Sequence, residues 1–223
     1  YEVYGGSDNY SSLSGELYIP TSVNYNGGDY TVTSVGERTF FSCSSITSVI
    51  IPNSVKTIGN DAFYNCEGLT SINIQGNITS IGSHAFEDCS GLVSVNIPNS
   101  VTSIGSSAFY NCSSLTSVDI PSGVENLGER IFFNCSGLKS VNLESRVIGD
   151  NMFLNCSNLT SVTLGNGVTS IGNSAFYDCS SLTSINIPVT VTTIRSYAFS
   201  GTALYNNDEN WTNNVLYVDN CLI

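Results

Sequence analysis

VTSIGSSAFYNCSSLTSVDIPSG, from Val101 to Gly123, is one full period of a repeat. Near copies include ITSIGSHAFEDCSGLVSVNIPNS from Ile78 and VTSIGNSAFYDCSSLTSINIPVT from Val168. The cysteines mark the beat. Cys43, Cys66, Cys89, Cys112 and Cys135 are spaced by 23 residues, Cys156 follows after 21 and Cys179 after 23 more; Cys221 falls out of phase. A fixed period of this size is the signature of a solenoid, in which each unit buries its apolar face only against its neighbours.

Within the unit, Leu115, Val118 and Ile120 bracket Ser117 and Asp119, a short alternating strand ended by Pro121. Val101 and Ile104 mark a second, briefer extended piece closed by Gly105, a conformational corner. SSAFYNC then carries Ala108, Phe109 and Cys112 at spacings that suit one helical or 3₁₀ turn, with Ser106 or Ser107 as its cap. Equivalent strands recur in one direction about 4.8 Å apart, so stacked coils form a parallel sheet. Phe40, Phe63, Phe86, Phe109, Phe132, Phe153, Phe176 and Phe199 become the core spine.

The pattern predicts a single repeat domain over 1–223, with about eight 23-residue repeats across 31–204. Residues 1–30 contain YEVYGG, ELYIP and NYNGGDY and read as hairpin strands capping the first coil. Residues 205–223, with Trp211 and a VLYV-DN-CLI hairpin, read as the opposite cap. Such caps cover apolar surface and sheet edges that a bare terminal coil exposes. One interior coil is irregular. The turn from Leu143 to Ile148 is two residues shorter than that from Ile120 to Leu127, so the coil through Glu144, Ser145, Arg146 and Val147 is expected to be tighter, with its second strand disturbed.

The composition excludes several functions. The chain has 223 residues, 41% of them apolar and only 11% charged, which suits a folded array despite a net charge of −12. With 18 acidic residues against 6 scattered basic ones there is no footprint for nucleic acid or an anionic membrane. No apolar run reaches the ~18 residues that span a bilayer. No basic and apolar leader opens the sequence, so a secretion signal is expected to be removed or absent.

The unit L-x-x-[VI]-x-[IL]-P-x-x-V-x-x-I-G-x-x-A-F-x-x-C-x-x resembles the BspA-like (treponemal-type) leucine-rich repeat, over roughly residues 31–204. The end segment NWTNNVLYVDNCLI is similar to the terminal segments of such proteins from gut and oral bacteria. The resemblance implies an α/β-type leucine-rich-repeat solenoid: right-handed, mostly strand and turn, with a parallel sheet and short helical or 3₁₀ turns. It implies secreted or surface-anchored bacterial proteins, some of which adhere to host matrix proteins or to other bacteria. It carries no catalytic motif and no cofactor.

The periodic cysteines admit disulfides, metal ligation or buried thiols. Stacked Cβ atoms near 4.8 Å sit wider than the roughly 3.8 Å a bridge prefers, and no C-x₂₋₄-C cluster suggests zinc. Buried thiols acting as small apolar groups are the favoured reading. His84 and Cys89 invite a nucleophile–base pair, but His84 replaces exposed serines of other coils while Cys89 replaces core cysteines. Acidic residues never repeat at one position of the unit, which gives a two-carboxylate glycosidase little support. Asn65, Asp88, Asn111, Asn134, Asn155 and Asp178 precede the cysteines and read as a ladder satisfying turn backbone groups.

Two faces remain as binding candidates. The first is the row after each core Phe, where Tyr64, Tyr110, Phe133 and Tyr177 offer rings to a protein or a sugar. The second is the outward strand face, with Ser94, Asn96, Ser117, Asp119, Ser140 and Asn142. The expected function is a noncatalytic, secreted or surface-exposed adhesion module, acting as a monomer on a host or bacterial surface protein. A passive spacer within a larger surface protein and a glycan-binding module are the alternatives.

Overall fold

The computed structural model describes residues 2–3, 13–212, 215–218 and 221–222, with side chains placed over residues 13–210. The coils stack into a parallel β-solenoid. The longer strands of each coil form the first sheet: Gly15–Tyr18, Ile46–Ile51, Ser71–Ile74 and Ser94–Val95 pair in parallel, followed by Ser117–Ile120, Ser140–Leu143 and Ser161–Leu164. Register follows the repeat, with Ser48 facing Ser71 and Ser117 facing Ser140. Val118 and Ile120 point inward and are buried while Ser117 and Asp119 are exposed, the alternation the sequence predicts. The briefer pieces form the second sheet: Glu2–Val3, Ser34–Val35, Thr57–Ile58, Ser80–Ile81, Ser103–Ile104 and Asn126–Leu127, then separately Val147–Ile148, Ser170–Ile171 and Thr193–Ile194.

The segment around each core Phe is not the expected helical or 3₁₀ turn. It is a chain of β-turns set by two left-handed corners, as at Ser107 (φ 57°) and Asn111 (φ 58°), and a left-handed residue ends any helical run. Its N–H groups bond across coils instead: Ser107, Phe109 and Asn111 donate to the carbonyls of Glu129, Ile131 and Phe133 at 2.8–2.9 Å. Ser106 is no helix cap either; its Oγ accepts from the Glu129 N–H one coil on, at 3.3 Å. Among the described residues the 3₁₀ helix is Asp208–Asn210, and none is a helix long and apolar enough to cross a membrane. The described residues are therefore strand and turn, without the helical layer that an α/β label implies.

Phenylalanines form the expected spine. Phe63 to Phe176 are fully buried, and successive rings stack at centroid distances from 5.1 Å (Phe40–Phe63) to 5.5 Å (Phe176–Phe199). The glycine corners correct the conformational reading. Gly105 has no positive φ; a Cβ there would stand 2.3 Å from the Ser83 nitrogen of the preceding coil. Close approach of backbones, not left-handed geometry, demands glycine at that corner.

The N-terminal segment is more solenoid than hairpin. ELYIP contributes Gly15–Tyr18 as a parallel rung beside Ile46–Ile51, and Glu2–Val3 lies parallel to Ser34–Val35. Among the described residues of this segment it is the NYNGGDY stretch that makes a hairpin, pairing Ser22–Tyr25 with Gly28–Thr31 through left-handed Asn26 and Gly27. The rest of YEVYGG, from residue 4 on, lies outside the described residues. At the other end Trp211–Thr212, Val215–Val218 and Cys221–Leu222 run antiparallel in sequence, the VLYV-to-CLI pairing expected there.

Candidate binding surfaces

The turn row is a ridge of stacked rings. Phe41 and Tyr64 lie at 4.8 Å with 5° between planes, and Tyr110 and Phe133 at 4.9 Å with 10°. Coil spacing forces this: equivalent side chains one rung apart fall at stacking distance. The Arg38 guanidinium sits 4.1 Å from the Phe41 ring centre. Tyr64, Tyr110, Phe133 and Tyr177 are all half-buried. Two of the predicted residues, Tyr110 and Phe133, are brought together; Tyr64 pairs with Phe41 instead, and Tyr177 stands between Leu154 and Ser200 in the row. Stacking turns ring faces toward each other and leaves edges and hydroxyls outward. The Tyr64 phenol is held above its ordinary range by partial desolvation and by the Asp88, Glu87 and Asp61 carboxylates around it.

The strand face is flat and polar. Ser117 faces Ser140, and Asp119 faces Asn142, in one continuous three-strand ladder. Ser94 and Asn96 are exposed beside it, but the strand Ser94–Val95, which ends before Asn96, pairs with Ser71–Ile74 on the other side, so the ladder is interrupted at this point.

Seven cysteines, Cys43 to Cys179 in the periodic series, are buried; Cys221 lies outside the described side chains. Each thiol from Cys66 onward reaches the Phe carbonyl of the preceding coil, as in Cys112 to Phe86 and Cys135 to Phe109, both at 3.2 Å. That carbonyl has no inter-coil N–H, so a small side chain with one weak donor fits the site. Burial pushes up the thiols of Cys89, Cys112 and Cys156, and carries Cys43 to about 11 and Cys135 and Cys179 to about 12. Cys89 donates to the Phe63 carbonyl at 3.2 Å while His84 contacts Glu87, so the two do not form a nucleophile–base pair. The Asn/Asp row corrects another reading. In its middle the side chains bond to one another, Asn134 to Asn111 at 2.8 Å and Asn111 to Asp88 at 2.7 Å, and Asn65 bonds the Ser42 hydroxyl at 3.3 Å, instead of turn backbone.

The short coil breaks the second sheet. At the other junctions of these strands from Ser34–Val35 onward two N–H groups reach back one coil, as Glu125 to Thr102 and Gly128 to Ile104. Arg146 and Gly149 make no such bonds to Glu125 and Leu127, and Asn126–Leu127 and Val147–Ile148 end up as edges of different sheets. Ser145 takes the place of the core valine, buried, with its hydroxyl donating to the Val147 carbonyl at 3.4 Å. A cleft of about 450 Å³ opens along Leu127 and Val147, and another of about 590 Å³ spans three coils from Ser122 across Arg146 to Thr169.

A parallel solenoid with leucine and isoleucine strands, a phenylalanine spine and cysteine-bearing turns is a leucine-rich-repeat protein. The chain belongs to the BspA-type leucine-rich-repeat family: the model of the BspA type leucine rich repeat region matches residues 21–139 and 79–206, in 6 copies. A crystal structure of a leucine-rich-repeat protein of T. pallidum is similar at TM-score 0.68 and 32% identity, over 75% of this chain and 77% of that one. A leucine-rich cell-surface protein of Faecalibacterium prausnitzii is similar at TM-score 0.64 and 33% identity, over 93% of this chain and 50% of that one. A leucine-rich-repeat protein of Bacteroides ovatus matches at TM-score 0.63 and 27% identity, over 86% of this chain and 58% of that one. No match was found among curated protein sequences. Leucine-rich repeats are in general protein-binding modules, and no enzyme family is indicated.

Proposed function

We propose that this chain is a noncatalytic protein-binding module, displayed outside the bacterial cell and used in adhesion to a host or bacterial surface protein. The observation that carries the reading is the pairing of rings on the turn ridge, Phe41 on Tyr64 and Tyr110 on Phe133. A sugar stacks on a free ring face, and these faces are turned to each other. Ring edges and phenol hydroxyls, held rigidly by stacked neighbours, suit the pockets and hydrogen bonds of a protein surface, where Tyr is enriched among the residues that dominate affinity. The similarity to a cell-surface protein of Faecalibacterium prausnitzii supports display outside the cell. We take the coil to be right-handed, the sense of nearly all parallel crossovers, and residues 1–30 and 205–223 to be its caps.

The test is a binding screen of the monomeric chain against immobilised extracellular-matrix and bacterial surface proteins, with a glycan array beside it. A protein ligand is expected, with Tyr110→Ala, Phe133→Ala and Tyr177→Ala each weakening it by about 1 kcal/mol or more. Changes at Ser117, Asp119 or Asn142 are expected to matter less. Loss of binding on the serine-ladder changes, with the ring changes silent, moves the site to the strand face; binding to glycans alone overturns the reading.

A further inference from the structure

The first five coils of the turn ridge form a palindrome. Along the stack they carry Phe41, Tyr64, Glu87, Tyr110 and Phe133, so two ring pairs flank a single carboxylate. Asn65 donates to the Glu87 carbonyl and Asp88 to that of Tyr110, at 2.7 and 2.9 Å, which fixes Glu87 on the rung between the two tyrosines. Arg38 and Arg130, each three residues before an outer ring, close the two ends. The middle is acidic. No Lys or Arg lies between Lys56 and Arg130, a stretch that holds seven Asp or Glu residues. Asp61, Glu87 and Asp88 gather around the Tyr64 phenol, which donates to the Asp88 carboxylate. Asp88 also accepts from the Asn111 amide at 2.7 Å, and Glu87, its side chain 16% exposed, contacts the His84 ring. A phenol, an amide and an imidazole hold these carboxylates in place, and among the described residues no Lys or Arg pairs with them.

Spacing decides what fits. Rungs about 4.8 Å apart put the middle of each ring pair about 7.2 Å from the Glu87 rung, and the Arg38 coil about 19 Å from the Arg130 coil. In an extended chain, side chains two residues apart point the same way at about 6.6 Å. We propose that the ridge takes an extended segment of its protein partner, which sets one Lys or Arg on Glu87 and Asp88 and, two residues to either side, an apolar side chain on each ring pair. The inference rests on the reading of the ridge as a protein-binding surface and names the partner's chemistry. Ring edges supply contact area, and the carboxylates choose the central residue. A neutral side chain there leaves two half-buried charges without a counter-charge, and an acidic one adds repulsion. Arg38 and Arg130 set the limit. A basic run longer than the acidic middle meets like charge at both ends, so the ridge selects a single cation between uncharged flanks over a polybasic tail.

The test pans a random linear peptide library displayed on phage against the full chain, then measures enriched peptides, synthesised with a fluorophore, by anisotropy. Glu87→Gln with Asp88→Asn removes both charges at nearly constant shape, and asparagine already stands at the second position in the Cys66, Cys112, Cys135 and Cys156 coils. Glu125→Gln with Glu144→Gln removes as much charge from exposed positions on the turns between the two sheets. Enriched peptides are expected to carry one Lys or Arg between apolar residues. They should bind the Glu87→Gln, Asp88→Asn chain about tenfold or more weakly and the Glu125→Gln, Glu144→Gln chain unchanged. Replacing the peptide's own basic residue by Gln should cost a similar factor. Failure to enrich any peptide, or enrichment without Lys or Arg, overturns the proposal. So does equal weakening in the two double variants, which reports net charge and not a seat. Peptides that lose binding to Tyr110→Ala but bind Glu87→Gln, Asp88→Asn unchanged overturn the seat and keep the ridge; peptides indifferent to all these changes overturn both readings.

Discussion

The junction between the Cys112 and Cys135 coils and the next one, between the Cys135 and Cys156 coils, differ by two residues of turn. At the first, Glu125 and Gly128 bond back to Thr102 and Ile104 at 3.0 and 2.9 Å. At the second these bonds are missing, yet the coils stay stacked. Phe132 and Phe153 remain at 5.5 Å, Cys156 still reaches the Phe132 carbonyl at 3.2 Å, and Ser117–Ile120, Ser140–Leu143 and Ser161–Leu164 pass through the junction in unbroken register. A coil is held to its neighbour by several columns in parallel: the strand face, the spine, the thiols and the second sheet. A deletion in one turn is absorbed by the column nearest to it, and the others keep the stack.

The largest break in that comparison comes from the spine. Phe109 is fully buried and stacks on Phe86 and Phe132 at 5.3 Å each. Phe109→Ala removes both contacts and leaves a cavity in a column that every coil shares, at an expected cost of about 3–5 kcal/mol by chemical denaturation. If the columns act in parallel, as the short coil indicates, the variant still unfolds in one transition. A loss under about 1 kcal/mol would mean that the spine is not the main column.

The thiol column comes next. Cys135 is fully buried, bonded to the Phe109 carbonyl, and pushed up to about 12 from an ordinary 9.0. A thiol whose folded value is raised favours the folded state fully below the unfolded value, and that contribution is lost as pH rises through the folded one. Stability is therefore expected to fall from about pH 9 toward pH 12. Cys135→Ala is expected to flatten this slope and to cost about 1 kcal/mol at neutral pH, for one weak bond and the buried sulfur, since the Phe109 carbonyl keeps the Cys112 N–H at 3.4 Å. Denaturant titrations at pH 8 and pH 10.5 measure both. Alkylation with iodoacetamide is expected to be slow in the folded chain and fast once it is denatured, since only thiolate in reach of reagent reacts.

Much of this was legible in the sequence, because apolar spacing sets which residues point inward and repetition does the rest. The strands, the spine and the inward thiols followed from Leu115, Val118, Ile120, Phe109 and Cys112. The turn did not. Ala108, Phe109 and Cys112 fit a helical turn as well as they fit β-turns, and the left-handed corner before them carries Arg38, Asp61, His84, Ser107, Arg130 and Tyr197 in different coils. None of these is glycine, so no residue type announced it; bonds to the next coil hold it. The ring pairs were visible as a row but not as stacks, since stacking depends on rung spacing and side-chain direction. The disturbed strand was visible by counting from Leu143 to Ile148. That it leaves two strand edges unpaired depends on whether neighbouring edges meet, which counting alone does not decide.

The smallest expected effect separates the two junctions most directly. The Gly128 amide is bonded to the Ile104 carbonyl and the Gly172 amide to that of Ile148, both at 2.9 Å, while the Gly149 amide between them in the repeat has no such partner. Exchange of an amide follows the opening of its hydrogen bond, so within one folded unit Gly149 should exchange at least about tenfold faster than Gly128 or Gly172. Native-state hydrogen exchange resolved at single residues reads this without altering the chain. Pro-Ser inserted after Leu143 should then protect Gly149 to the level of its neighbours, at a gain in overall stability of about 1 kcal/mol for two backbone bonds set against the added ordered residues. Equal protection at the three glycines in the unaltered chain would show that the edges meet in solution, and the contrast between the two junctions would reduce to loop length alone.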